Sequence, residues 1–184
     1  MKIVYPKDVN NGNIWTCVGT VNLFMGGGMG NLEWHKEFLD TLSSSVPSDN
    51  LTVFNPYNPD IQDIKTQILW EQEVISLGTN DNVHFIGSLY FDKYTNQPMS
   101  CLELGRMAIE SKETSVNIDT GSQKVNVPVN YGYKLIVSVH PECPIKEEIK
   151  AQCLGLNVNC VERSPQGHAQ AVYRTYRNIK YQLC

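Results

Sequence analysis

Residues 15–30, WTCVGTVNLFMGGGMG, carry β-branched and apolar side chains from Trp15 to Phe24 and then break at Gly26-Gly27-Gly28-Met29-Gly30. An apolar run closed by glycines predicts a strand followed by a loop. Asn31 suits a helix N-cap, and Leu32, Phe38, Leu39 and Leu42 recur at helical spacing until Ser43 to Pro47 end the segment. The unit is strand, glycine loop, helix.

The same alternation continues outward from it. Residues 51–54 predict a short strand, 55–60 a proline-punctuated loop, and 61–77 a helix with Ile61, Ile64, Ile68 and Ile75 on one stripe. Residues 83–86 predict a third strand. A polar loop from Asp92 to Pro98 precedes a helix from about Cys101 to Glu110, and 135–139 is a strongly apolar fourth strand. Helix 145–154, strand 158–161 and helix 167–181 complete the pattern. Strands alternating with helices of this length predict an α/β fold, a parallel sheet of about five strands with helices on both faces. Residues 114–133 break the rhythm: Val116, Ile118, Val125, Val127 and Val129 alternate around a Thr-Gly-Ser turn, which predicts an inserted hairpin or lid. In an open parallel sheet, ligands bind beyond the carboxyl ends of the strands, so the loops there are expected to build the site.

Composition bounds the function. With 184 residues, 41% of them hydrophobic and 18% charged, the chain suits one domain spanning residues 1–184. A formal charge of -4 with scattered Lys and Arg argues against nucleic acid as the partner. Arg174, Arg177 and Lys180 recur at helical spacing and read as a solvated face. No apolar run approaches the roughly 20 residues of a membrane span, and the first residues lack the apolar stretch of a secretory signal. A cytoplasmic protein is expected. Six cysteines, at positions 17, 101, 143, 153, 160 and 184, show no C-x-x-C pair, so reduced thiols and no metal site are expected.

Three places could carry chemistry. The glycine run lacks the Gly-Lys-Ser/Thr ending of a phosphate loop and the spacing of a dinucleotide fold, so no cofactor is expected. It is either a tight turn or a backbone open to a ligand. Glu71 falls on the apolar stripe of its helix, where a carboxylate needs a partner: an ion pair or backbone bond at the core edge, or a ligand. In Gln97-Pro98-Met99-Ser100-Cys101-Leu102-Glu103-Leu104-Gly105, Ser100 and Glu103 match an S-x-x-E capping box. A carboxylate in a first helical turn is also held ionised by the helix dipole, which suits a nucleophile. Cap and nucleophile compete for the same side chain.

The order of these motifs (Gly26 to Trp34, Val53-Phe54-Asn55-Pro56, Gln67-Ile68-Leu69-Trp70-Glu71, then Gln97 to Gly105) resembles the nucleoside 2-deoxyribosyltransferase-like family, over about Val21 to Gly105. The strand at 135–139 with its His-Pro end fits the same plan. The resemblance implies a flavodoxin-like three-layer sandwich without metal or cofactor, acting on a small-molecule nucleoside or nucleotide, commonly as a homo-oligomer. It implies that Glu103 attacks the anomeric carbon and forms a glycosyl-enzyme intermediate. Transfer to a second base or hydrolysis follows, as in retaining glycoside chemistry. The partner that manages the leaving-group proton would be Asp81, although Thr79-Asn80-Asp81-Asn82 is also a turn signal in its own right. Gly26, Gly27, Gly28, Trp34, Asn55, Glu71, Tyr90 and Met99 would line the pocket, with Tyr90, Phe91 and Tyr94 free either to stack on a base or to pack locally. Residues near the C-terminus, Tyr181 and Cys184, are not expected to complete it. The alternative is a protein that binds a nucleotide-like ligand in the same pocket without turning it over.

Overall fold

The structure is a computed structural model that describes residues 1–9, 13–28, 32–47, 50–57, 64–94, 97–112, 114–119, 124–130 and 132–183. In chain order the elements are β1 (Lys2–Val4), β2 (Val21–Gly27), α1 (Glu33–Ser45), β3 (Leu51–Phe54), α2 (Ile64–Leu77), β4 (Phe85–Phe91) and α3 (Pro98–Glu110). They continue with β5 (Thr114–Asp119), β6 (Lys124–Asn130), β7 (Lys134–Val139), α4 (Lys146–Gly155), β8 (Cys160–Glu162) and α5 (Pro165–Gln182). Six strands form one parallel sheet in the order β1-β3-β2-β4-β7-β8. The five strands from β3 to β8 in that order follow the flavodoxin-like winding, and β1 is an added edge strand beside β3.

Side-chain alternation along the strands builds two cores. Leu23, Met25, Val53, Ile86 and Tyr90 face α1 and α5, where Trp34, Phe38, Leu42, Val172 and Tyr176 cover them. Phe24, Phe54, Phe85, Leu89 and Val137 face the other way, under Trp70, Val74, Leu104, Met107 and Ile149 of α2, α3 and α4. All seven residues of β2 and of β4 are buried, as expected of strands covered on both faces. No helix among the described residues is long and apolar enough to cross a membrane.

The structure corrects several expectations. Residues 15–24 are not one strand: Ile14–Cys17 is a 3-10 turn, and β2 begins at Val21 and takes in Gly26 and Gly27. The break is local chemistry. Asn13 accepts from the Trp15 amide at 3.1 Å, and Asn22 both accepts from the Gly19 amide at 2.8 Å and donates to the Gly19 carbonyl at 2.9 Å. The third strand runs to Phe91 because Gly87 and Ser88, which interrupt its apolar pattern, are packed under Met107 and paired with His168. The stripe on α2 is buried only toward its C-terminal end: Ile75 is enclosed whereas Ile64 is 69% exposed. Asn31 and Ile61 lie outside the described residues.

The inserted segment is a hairpin, with β5 and β6 pairing antiparallel as a separate two-stranded sheet. Its roots lie after the C-terminal end of α3 and before the first residue of β7. They therefore sit at the amino end of the parallel sheet, opposite the loops expected to build the site, so the hairpin does not enter as a lid from the rim of that site.

Candidate active site

The sheet order reverses between β2 and β4, and the crevice beyond their carboxyl ends is the general ligand position of such sheets. A cavity of about 420 Å³ occupies it, with walls from Gly26, Gly27 and Gly28 of the β2 end, Pro56 after β3, one face of α2, and the first turns of α3. Gly27 has φ +148°, a backbone region that disfavours any side chain, and a Cβ there would stand 2.8 Å from Trp34 Cζ2. The Trp34 indole donates to the Gly28 carbonyl at 2.7 Å. His35 sits 3.4 Å from the same carbonyl. Trp34 is thus buried behind the glycine segment and sets its path, and Asn55 is also buried; neither lines the cavity. Burial lowers the His35 pKa to about 4, so the ring is neutral.

Gln97 makes the opposite wall. It adopts the left-handed conformation, φ 45° and ψ 54°, directly before Pro98 opens α3. Its amide donates to Asp92 Oδ1 at 3.0 Å, and its side chain packs where a Cβ at Gly28 would stand. Because α3 begins at Pro98, Ser100 is inside the first turn and is not the N-cap. Glu103 is therefore one turn deeper than a capping box requires, and the cap reading of Ser100 and Glu103 is overturned.

Glu103 instead meets Glu71. The two carboxyls hydrogen-bond each other across the gap between α2 and α3, and both face the cavity. Gln67, one turn before Glu71, donates to Glu71 Oε1 at 2.9 Å. A Cβ at Gly26 would lie 3.3 Å from Glu103 Oε2, so the glycine leaves room for the carboxyl. Burial raises the Glu103 pKa well above the usual carboxylate range, and the charge and hydrogen bond of Glu71 raise it further. Burial also raises that of Glu71, against the hydrogen bonds of Gln67 and Glu103. The pair titrates as a unit and keeps one proton at a pH where an isolated glutamate has lost it. The expectation that the helix dipole keeps Glu103 ionised gives way to desolvation, because Glu103 lies beyond the first turn and beside a second carboxyl.

The remaining expected site residues divide cleanly. Met99, Gly26, Gly27, Gly28 and Glu71 line the cavity with Glu103. Asp81 does not: it lies in the turn before β4, at the amino end of the sheet, in a different depression with His84, Tyr133 and Lys134, and it accepts from Asn82 at 3.0 Å. Its turn chemistry wins. Tyr90 does not either, because strand alternation turns its ring to the α1 and α5 face, where its hydroxyl donates to the Arg163 carbonyl at 3.1 Å and the ring packs 5.1 Å from Trp34. Phe91 is core on the other face, and Tyr94 is exposed away from the cavity. Pro56, Ile64, Gln67, Ile68, Gln97, Pro98 and Ser100 are the wall residues that sequence reasoning missed. Ile64, Gln67 and Ile68 had a usable signal, their helical spacing with Glu71.

Among the described residues, no three His, Cys, Asp or Glu side chains come together as metal ligands. The five described cysteines are free thiols. Comparison with protein-family models and with curated sequences finds no match for the chain.

Proposed function

We propose that the protein is an N-glycosidic bond enzyme acting on a nucleoside or nucleotide, with Glu103 as the attacking carboxylate. One observation carries this reading: a buried carboxyl pair on the wall of a cavity at the point where the sheet order reverses. The resemblance to nucleoside 2-deoxyribosyltransferases points to the same glutamate, and a cavity of about 420 Å³ is within the usual range for a small-molecule site. Pro56, Ile68, Pro98 and Met99 offer apolar surface to a base, and Gln97 and Ser100 offer polar atoms to sugar hydroxyls.

The chemistry follows from the shared proton. When that proton rests on Glu71, Glu103 is a desolvated carboxylate. It forms a bond to the anomeric carbon as the C–N bond breaks, and the bonding electrons leave with the base, which takes up a proton from solvent water. Water or a second base then attacks the glycosyl ester, and Glu103 is released as a carboxylate. Glu71 bonds Glu103 directly and so stands on the nucleophile's side of the sugar. Its part is to hold the proton and orient Glu103, not to protonate a base departing from the opposite side.

The second reading, a binder without turnover, is favoured by the distance of Asp81 from the cavity. One experiment separates the two. Incubation with a panel of nucleosides and nucleotides, followed by chromatography, is expected to show free base, and Glu103→Ala is expected to abolish it with folding kept. Saturable binding without any base release selects the binder. Self-association is part of this proposal, since Ile64, Leu69, Leu102 and Ile109 expose apolar surface on α2 and α3, and light scattering in solution measures it.

A further inference from the structure

We propose that a second cavity, between α5 and the β7–β8 margin of the sheet, binds a small phosphate monoester through Arg163 and Arg174. The two cavities share no wall residue, so this site is independent of the Glu103 chemistry.

A short edge strand opens the space. β8 pairs with β7 only from Val137 onward, so among the described residues no strand covers the outer side of Leu135 and Ile136. Alternation sends Ile136 and Ser138 of β7, and Val161 and Arg163 of the β8 line, toward α5. Cys160 joins the opposite core, and Glu162 is held by Lys146 and Lys150 of α4. On α5, Ala171, Arg174 and Thr175 fall on one stripe and overhang the same margin. Between them lies a cavity of about 290 Å³ with apolar surface from Ile136, Val161 and Ala171, the Thr175 hydroxyl, and the two arginines.

Arg163 is fixed before any ligand arrives. Its amide donates to the Val139 carbonyl at 3.0 Å, its carbonyl accepts from the Tyr90 hydroxyl, and its Nη1 donates to the buried Ser138 hydroxyl at 2.9 Å. Its Nε and Nη2 bond no other described residue. The Arg174 side chain likewise bonds no described residue, whereas Arg177, one turn on, donates to the Tyr181 hydroxyl at 2.7 Å and lies over the Tyr173 ring. Burial lowers the Arg163 pKa, and the charge of Arg174 lowers it further, so the two guanidiniums feel each other. No carboxylate among the described wall residues offsets them.

Two cations on one small space favour a dianion. A phosphate monoester carries about -1.5 to -2 charges at neutral pH, and its three free oxygens match the donor forks of two guanidiniums. A carboxylate would leave one cation uncompensated. Thr175 adds a donor, and the apolar wall receives the ester group. The volume is at the small end for ligand sites, which limits that group to the size of a single ring.

The test is calorimetric titration at neutral pH with phenyl phosphate as the probe and benzoate as the singly charged control. The wild type is expected to bind phenyl phosphate saturably and at least about tenfold tighter than benzoate. Arg174→Gln is expected to weaken phenyl phosphate by at least about tenfold, while its ligand-free thermal midpoint stays or rises because a like-charge repulsion is gone. Ala171→Leu, which fills the cavity and keeps both cations, is expected to weaken it by a similar factor, and Glu103→Gln to leave it unchanged. Binding that survives both Arg174→Gln and Ala171→Leu, or that is lost in Glu103→Gln, puts the probe elsewhere and overturns the proposal. Benzoate bound as tightly as phenyl phosphate overturns the dianion assignment, and no saturable binding up to about 10 mM overturns the site itself.

Discussion

Among the described residues, two buried titratable groupings lie on opposite faces of the central sheet, and the one on the α2 and α3 side faces the cavity at the carboxyl ends of β2 and β4. On the α1 and α5 side, His168 is completely enclosed, with Nε2 2.8 Å from the Ser88 hydroxyl and Nδ1 2.8 Å from the Ser138 hydroxyl, while Arg163 donates to Ser138 at 2.9 Å. Both ring nitrogens are satisfied by hydroxyls from adjacent strands, and burial lowers the histidine pKa to about 3. It is a neutral polar clasp between β4, β7 and α5. On the α2 and α3 side, Glu71 and Glu103 are pushed together, with no cation among the described residues bonded to either, beside open space. A satisfied network stabilises. A pair of acids beside a cavity is tense in the free protein and has a use only when something enters.

That contrast can be broken most sharply at Glu103. Glu103→Gln is expected to cost about 1,000-fold or more in base release, because an amide is not a nucleophile. It should leave the thermal midpoint at pH 8 unchanged or higher, since a buried charge is removed. A fall in both activity and midpoint would make Glu103 a structural residue.

His168→Ala is expected to do the reverse. It strips Ser88 and Ser138 of a partner and leaves a void, costing about 3 kcal/mol in urea unfolding. The remaining folded protein should keep the wild-type pH profile of activity. Gly27→Ala is expected to cost at least about 1–3 kcal/mol, from backbone strain at φ +148° and from its Cβ meeting the Tyr90 carbonyl oxygen and the Trp34 ring, and to weaken substrate binding through the displaced glycine wall. Calorimetry reads the first effect and KM the second.

The smallest effects are in the pH dependence, where the clusters have opposite signs. The carboxyl pair is raised above the ordinary 4.5, so its favourable contribution to stability is full below that value and is lost as pH rises through the raised values. His35 and His168 are lowered from 6.5, so theirs is full above 6.5 and is lost as pH falls toward about 4 and about 3. Glu71→Gln should flatten the alkaline side of a stability–pH curve and His168→Asn the acid side. Glu71→Gln should also move the acid limb of activity to lower pH, because the charge and hydrogen bond that raise Glu103 are gone.

Much of the site is legible in the sequence. Alternation of apolar runs and helical stripes placed the strands in parallel, and the glycines after the first run marked the backbone that a ligand approaches. Glu71 stood out as a carboxylate on an apolar stripe. Glu103 was ambiguous because S-x-x-E is a capping pattern, and the ambiguity ended with the left-handed Gln97, which starts α3 three residues earlier than expected. Tyr90 is not legible, because a strand's alternation decides which face a ring takes and the apolar pattern ends the strand at Ile86, before Gly87 and Ser88. Asp81 failed for a related reason: with β4 starting at Phe85, the turn before it belongs to the wrong end of the sheet.

Local sequence determined the fold class, since hydrophobic periodicity and glycine punctuation are properties of short windows and act before the chain closes. The identity of the paired acids was decided by tertiary structure alone. Glu71 and Glu103 lie on separate helices, and only the winding of β2 and β4 in opposite directions opens the crevice in which α2 and α3 bring the two carboxyls into one dry wall. Desolvation and proximity across 32 residues of chain, which no local pattern encodes, turned a presumed cap into a shared-proton pair.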